Sequence, residues 1–397
     1  MKGPSPKRLK RFVQSSYHLA SYLRRPGDGR KQPRIPAQAL LWSVLVGQIL
    51  RECSFHAVEA LVRSPARSQL GVPRRFGDDA LAYFTERLDP AVTRRALATV
   101  LRLAKRKRAF QGSGRIGWIV DGTGAGRCHS EPCSLCHPVS TAEHAVVGYL
   151  HHLSMLSVVG GELSLPFDVE PYPSGDGEVA ASLRLLRRAV DALGPRFADY
   201  AVADGLYGQA PFLHAAGDLG LHCVVRIKGN LPELQAQVDA RFGSIPPTLT
   251  TQIDGDRVEL WDADDFDPWE TLRWPTVRVL RYRQYKPDGT LHQADWLTDY
   301  SLQQVGTRGL YRMAKSRWTI ENQGFNVSKT YHAMEHVTHH HPNSLLLQWL
   351  LLLLALTIER LYRLRYLHRG THPPLSAIEL VRRLRLHLAP PRPCDSS

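Results

Sequence analysis

The sequence predicts a mixed α/β fold: one sheet flanked by helices, preceded by a helical N-terminal region and interrupted by a β-rich insertion. Three observations predict it. The apolar spacing is helical up to about residue 110 and changes period after "QGSG" at 111–114. Between 115 and 229 the order reads β-β-β-α-β-α-β, three antiparallel strands followed by strands added in parallel through helices. A second group of strand-like runs, with a "PDG" turn at 287–289, then lies ahead of a helix-spaced segment at 310–329.

The elements follow in order. "PAQALLWSVLVGQIL" (36–50) is apolar enough to be buried, and "DPAVTRRALATVLRLAKRKRAF" (89–110) opens on Asp-Pro with helical apolar spacing. "RIGWIVDGTG" (115–124) is a short strand expected to end at Asp121. "HAVVGYLHHLSMLSVV" and "ELSLPFDVE" form a hairpin turning at Gly160-Gly161. "GEVAASLRLLRRAVDALG" (177–194) is an amphipathic helix stopped by Gly194. "YAVADGLYG" delivers Asp204 to a strand end, a helix follows near 209–219, and "HCVVRIKG" (222–229) is the next strand. These limits divide the chain into a basic helical region (1–110), a first core segment (111–230), the insertion (231–305), core helices (306–370) and a C-terminal tail (371–397).

Charge narrows the partner. Lys plus Arg number 51 against 37 Asp plus Glu, a net +14 with pI near 9.7. The excess is segregated. Residues 1–35 carry ten Lys/Arg against Asp28 alone, "RLAKRKR" (102–108) contributes Arg106, Lys107 and Arg108, and "ERLYRLRYLHR" lies at 359–369. The stretch 254–270 is acidic. Basic surfaces at both ends of such a chain suit a polyanion, with nucleic acid favoured over uniform membrane attraction. Removal of residues 1–35 is expected to weaken DNA binding and leave the core folded. The N-terminus lacks an apolar secretory region. "LLLQWLLLLLAL" (345–356) is short of the roughly 20 apolar residues a span needs, so a buried helix is expected. Six unevenly spaced cysteines do not suggest a disulfide scaffold and fit a cytoplasmic protein.

Two carboxylates carry the chemistry. In the strand order above, an RNase H-like arrangement, the first and fourth strands are neighbours, which brings Asp121 beside Asp204. Paired carboxylates repel unless a cation bridges them, and Mg²⁺ or Mn²⁺ prefers such oxygen ligands. "LYRMAKSRWTIENQGFNVSK" (310–329) offers a third, Glu321, on the same helix face as Arg317. An ordinary surface ion pair is the plain alternative for these two.

On "IVDGTG" at Asp121, "VADGLYG" at Asp204 and "YRMAKSRWTIENQGFNVSK" at Glu321, the chain resembles DDE-superfamily insertion-sequence transposases with an RNase H-like core, over about 115–360. Glu321 lies 117 residues after Asp204, as in the branch with a β-rich insertion before the glutamate. That branch carries Y-x-x-R-x-x-x-E-x-x-x-x-x-x-K. Arg317 and Glu321 match it; the tyrosine position falls on Ala314, three residues after Tyr311, and the lysine position on Ser328, one before Lys329. The resemblance implies Asp121, Asp204 and Glu321 as ligands of two Mg²⁺ (or Mn²⁺) ions, Arg317 as a phosphate-positioning group, and Tyr311 and Lys329 as DNA contacts. It implies cleavage of terminal inverted repeats by water, attack of the freed 3′-hydroxyl on target DNA, and a homodimer assembled on DNA. The alternative is a catalytically silent DNA-binding protein descended from a transposase.

"RCHSEPCSLCHP" adds a second constellation. Cys128, Cys133, Cys136 and His137 could supply the soft ligands of one structural Zn²⁺, with a free-thiol loop as the alternative. His336 and His340 are expected to face DNA phosphate or solvent, and the neighbours His151 and His152 to point oppositely along a strand. Asp168, Glu170 and Asp176 read as turn residues, with Glu178 an outside candidate for an accessory carboxylate. Trp296 reads as core, as do Cys53 and Cys223, while Cys394 belongs to the tail.

Overall fold

The computed structural model describes residues 4–19, 27–112, 114–129, 133–367 and 375–388. Lys2, Arg24, Arg25 and Cys394, and residues 371–374 and 389–397 of the expected tail, lie outside them.

The N-terminal region is helical: α1 (Pro6–Tyr17), α2 (Ala37–Leu50), α3 (Phe55–Arg63), α4 (Ala66–Leu70), α5 (Asp78–Arg87) and α6 (Ala91–Arg106). Ser5 and Ser54 cap α1 and α3 by accepting the backbone N–H of Arg8 and Ala57. Helix α1 is no detachable arm. Leu9, Phe12, Val13 and Tyr17 are buried, and the Phe12 ring lies 5.1 Å from that of Tyr362 near the other end of the chain. Deletion of 1–35 would therefore open the core, contrary to the expectation from charge alone.

A ten-stranded mixed sheet follows: β1 (Gly117–Cys128), β2 (Cys136–Ser140), β3 (Val146–Gly160), β4 (Leu163–Tyr172), β5 (Tyr200–Ala203), β6 (His222–Arg226), β7 (Leu249–Ile253), β8 (Asp256–Phe266), β9 (Val277–Tyr285) and β10 (Leu291–Thr298). The core order β4-β3-β1-β5-β6 has antiparallel pairs up to β1 and parallel pairs β1·β5 and β5·β6, the RNase H-like arrangement expected from the sequence. Helices α7 (Glu178–Leu193) and α8 (Ala210–Asp218) make the crossovers that parallel strands require. Two details differ from expectation. Strand β1 runs past Asp121 to Cys128, paired throughout with β3 apart from a shift between Gly124 and Arg127, and a short β2 extends the edge. Asp168 and Glu170 lie on β4, not in a turn, where buried Asp168 holds Arg94 and Arg188 at 2.9 Å each.

The insertion continues the same sheet. After α9 (Pro232–Gly243), the antiparallel meander β7-β8-β9-β10 joins β6 through β10, with Trp296 opposite Arg226. Trp296 is core, as expected, edge-on to Trp318 at 5.8 Å.

The chain then forms α10 (Thr307–Ser316), a π-helical turn (Ile320–Phe325), α11 (Asn326–His332) and α12 (Pro342–Leu367). Helix α12 is longer than the apolar run suggested, and its apolar window is long enough to cross a membrane, but 89% of that window is buried inside the protein. It lies between β4 and the N-terminal helices, with Leu350 to Leu354 almost wholly enclosed. Each such leucine contributes about 1.5–3 kcal/mol through its burial. Within the expected tail, Ala377–Leu388 forms α13, which packs Leu380, Val381 and Leu384 inward near α2.

Candidate active site

Parallel pairing of β1 with β5 ends at Ile119 opposite Val202. Asp121 and Asp204 each stand two residues further on, so continuing the register sets them side by side where the strands part. The strands part because β5 stops at Ala203 and the chain turns into a 3-10 turn (Gly205–Tyr207), whose first free N–H donates to Asp204 Oδ1. Asn230 Nδ2 braces the turn through the carbonyls of Gly205 (2.9 Å) and Gly208 (3.0 Å). Lys228 Nζ sits 2.7 and 2.8 Å from the two Asp204 oxygens. Burial raises the Asp204 pKa, but the Lys228 ammonium and the Gly205 N–H outweigh it and hold the carboxyl below its usual value, with Arg317 helping.

The third carboxylate comes from the π-helical turn. Such a turn inserts one residue into a helix and recurs at functional sites. Here it coincides with Gly324, where a Cβ would meet Met155 Cε at 2.6 Å. Met155 is the residue paired with Asp121 across β1 and β3, so the turn packs against the strand beside Asp121. Arg360 donates to the Gln323 carbonyl and ties the same turn to α12. Arg317 Nη1 then lies 2.8 Å from Glu321 Oε1 and 3.4 Å from Asp121 Oδ2. Arg317 is only 3% exposed, whereas Glu321 is 42% exposed. The Trp318 ring, 4.9 Å from the guanidinium, covers it. Arg317 is thus a strut between two carboxylates.

A fourth carboxylate completes the cluster. Glu178 opens α7, and a Cβ on Gly122 would strike its Oε2 at 2.0 Å, so the carboxylate lies directly against the backbone next to Asp121. The buried Tyr207 hydroxyl donates to Glu178 Oε1 at 2.8 Å and meets Ser182 Oγ at 2.9 Å, which fixes that orientation. Burial pushes the Asp121 carboxyl up to about 7; Arg317 opposes this, Glu178 adds to it, the Gly122 N–H opposes it and Glu321 adds to it.

The shift has a testable sign. The Asp121 pKa is raised on folding, from 3.8 to about 7, so below pH 4 its contribution to stability is fully present, and it is lost as pH rises towards 7. The full span corresponds to about 4 kcal/mol at most. Urea unfolding in chelator should show wild type losing stability relative to Asp121→Asn between about pH 4 and pH 7. A constant difference across that window would show that Asp121 ionises normally.

The remaining expected contacts are dispersed. Tyr311 is 5% exposed with its ring edge-on to Tyr282 at 5.5 Å, and its burial among core residues removes it from the DNA contacts. Lys329 Nζ pairs with Glu335 at 3.0 Å. Arg106, Lys107 and Arg108 are exposed at the end of α6, with Lys107 Nζ 2.8 Å from the Ser16 carbonyl. Of the expected zinc ligands, Cys128, Cys133 and Cys136 come together, but His137 turns away and its Nε2 lies 2.8 Å from the Tyr172 carbonyl. His151 and His340 approach the sulfurs instead, so His340 does not face solvent as expected. Nothing in the sequence singled out Lys228 or Tyr207, whereas His151 and His340 stand in histidine runs able to bind metal but read as alternating strand residues and as DNA or solvent contacts.

A family model described as "Transposase DDE domain" matches residues 112–358. No curated protein matches the sequence. Among solved structures, the piggyBac transposase synaptic complex with hairpin DNA aligns over 97% of this chain and 80% of its own, with 12% identity and a TM-score of 0.48. The NurA nuclease from Sulfolobus solfataricus aligns over 53% of this chain and 80% of its own, with 9% identity and a TM-score of 0.25.

Proposed function

The chain belongs to the transposase DDE-domain family, and from that premise we propose that it is an insertion-sequence transposase that cuts DNA at terminal inverted repeats and joins the freed ends to target DNA. The observation that carries the reading is the meeting of Arg317 with both Asp121 and Glu321, with Asp204 opposite Asp121 when the register of the neighbouring strand is continued two residues past its last pair. Residues 196 positions apart are brought to one hydrogen bond there.

The donor set fits hard divalent cations. Asp121, Asp204 and Glu321 offer only oxygens, and a cation bound among them would offset the burial, and the lesser repulsion from Glu178 and Glu321, that push Asp121 up to about 7. Mg²⁺ or Mn²⁺ held by these three residues would supply Lewis-acid activation of the attacking oxygen and stabilisation of the leaving oxygen. Arg317 is a positioning residue: buried between two carboxylates, it sets the angle of Glu321 and keeps the cluster from being uniformly negative. Glu178, fixed by Tyr207, is placed to accept a proton from an attacking water or 3′-hydroxyl next to Asp121. Lys228 holds Asp204 ionised.

The basic clusters supply DNA affinity in this reading, with Arg106, Lys107, Arg108 and Lys329 as phosphate contacts and a homodimer as the DNA-bound form, acting on the nucleoid in a prokaryotic cytoplasm. The test is nicking of a supercoiled plasmid carrying the flanking repeats, with Mg²⁺ or Mn²⁺, beside a gel shift. Cleavage is expected with either ion and none in chelator. Affinity should fall about 10³-fold or more between roughly 50 and 200 mM salt if six or more phosphates are neutralised. Retained binding with no cleavage under either ion would leave the silent DNA-binding protein as the better reading.

A further inference from the structure

A second side-chain cluster stands apart from the carboxylates and differs from them in chemistry. Cys128 closes β1, Cys136 opens β2, and His151 sits on β3 directly opposite Cys136 in the antiparallel register. His340 arrives from the segment that joins α11 to α12, 212 positions after Cys128. Their four ligand atoms all lie within 4.8 Å of one another.

The spacings are those of a coordination shell. Ligand bonds of about 2.3 Å to sulfur and 2.0–2.1 Å to nitrogen imply tetrahedral edges of roughly 3.8 Å for S···S and 3.5–3.6 Å for S···N. Cys128 Sγ and Cys136 Sγ are 3.7 Å apart. Cys136 Sγ lies 3.4 Å from His151 Nε2 and 3.6 Å from His340 Nε2, and Cys128 Sγ lies 3.8 Å from His340 Nε2. A disulfide needs sulfurs at about 2.05 Å, so the cysteines are arranged around a point and not bonded to each other.

The surroundings agree. His151 is completely buried, and its other ring nitrogen, Nδ1, lies 3.0 Å from the Gly126 carbonyl. That contact makes Nδ1 the protonated nitrogen and leaves the Nε2 lone pair facing the sulfurs, the outer-shell arrangement of metal-binding histidines. The Cys133 N–H donates to Cys136 Sγ at 3.3 Å, as expected for a thiolate acceptor. Cys133 Sγ itself lies 3.7 Å from Cys136 Sγ and 3.3 Å from His151 Nε2 and is a neighbour of the set.

We propose that Cys128, Cys136, His151 and His340 bind one structural Zn²⁺. Two thiolates and two imidazoles favour zinc over Mg²⁺ or Mn²⁺, and four protein ligands leave no open position for chemistry. The ion is a clamp. It fastens the segment that follows the Glu321-bearing helices to the far end of the strand that carries Asp121.

The test is elemental analysis of full-length protein purified without chelator or affinity metal. About one equivalent of zinc per chain is expected. His340→Ala and Cys136→Ser should lose it, while His137→Ala and Cys133→Ser should keep it. Cobalt substitution should produce thiolate-to-metal charge-transfer absorption that is absent from His340→Ala. His340→Ala should also become cleavable by protease within 333–341 while keeping the circular dichroism of wild type. Metal content does not depend on DNA cleavage, so an inactive protein with one zinc would refute the proposed function alone. Zinc-free wild type, or zinc retained by His340→Ala, would overturn the clamp. Loss of zinc from Cys133→Ser would overturn this ligand set.

Discussion

Asp121→Asn and Glu321→Gln are expected to lower metal-dependent DNA cleavage by about 10²–10³-fold or more and to leave DNA binding within a few-fold of wild type. Both substitutions keep the shape of the side chain and remove one negative charge. At position 121 the charge is the innermost of the cluster, and its loss removes a ligand from the proposed cation site. At position 321 the lost charge also frees Arg317, which then has Asp121 at 3.4 Å as its remaining acidic contact in the cluster. Binding should persist because it depends on lysines and arginines elsewhere. Asp204→Asn should behave like the other two, with the added loss of the ion pair to Lys228. Arg317→Ala should raise the Asp121 pKa further, so its cleavage should recover in part as pH is raised, which a plain loss of the carboxylate would not allow. Cleavage of an inverted-repeat duplex in Mg²⁺, with a gel shift on each variant, makes the comparison. Wild-type cleavage by Glu321→Gln would transfer the third position to Glu178.

The outcome for each residue follows from how local its signal was. Asp121 and Asp204 could be paired from sequence because both depend on strand order, and strand order follows from alternating apolar runs and the lengths between them. Glu321 was reachable through its spacing to Arg317 on one helical segment. The π-helical turn was not, because its packing, with Gly324 against Met155, joins two elements far apart in sequence. Glu178 meets Asp121 only through the missing side chain of Gly122, a contact that no periodicity encodes. The histidines are the clearest case. Alternation along a strand argued against His151 and His152 acting together, and it is alternation that turns His151 wholly inward to the cysteines. His137, adjacent to Cys136 in sequence, is turned away by the same rule. Tyr311 failed for a different reason: its helix presents it to β9, where Tyr282 waits.

A buried ion pair links the β-rich insertion to the segment that leads to the site, and Arg278→Ala is expected to destabilise the protein by about 3–5 kcal/mol. Arg278 lies on β9 and grips Asp262 of β8 with two bonds, at 2.7 and 2.6 Å. The two side chains are 1% and 0% exposed. The Arg278 Nη1 group also donates to the carbonyls of Ser301 (2.8 Å) and Val305 (2.7 Å), in the segment between β10 and α10. Truncation would strand a buried carboxylate and remove the donor that shapes this connection, and α10 leads directly to Arg317. The exposed pair Arg241–Asp265, at 3.0 Å, is the control. Arg241→Ala should cost less than about 1 kcal/mol, because water already screens that pair. Replacing Arg278 and Asp262 together by Met and Leu should recover part of the loss, since no charge is left buried, but the two carbonyls would still lack their donor. Denaturant unfolding of the three variants decides the matter. A cost below about 1 kcal/mol for Arg278→Ala would mean that water reaches Asp262 once the arginine is gone, and that strand pairing and the aromatic contacts Trp296–Trp318 and Tyr282–Tyr311 hold the insertion to the core without the ion pair.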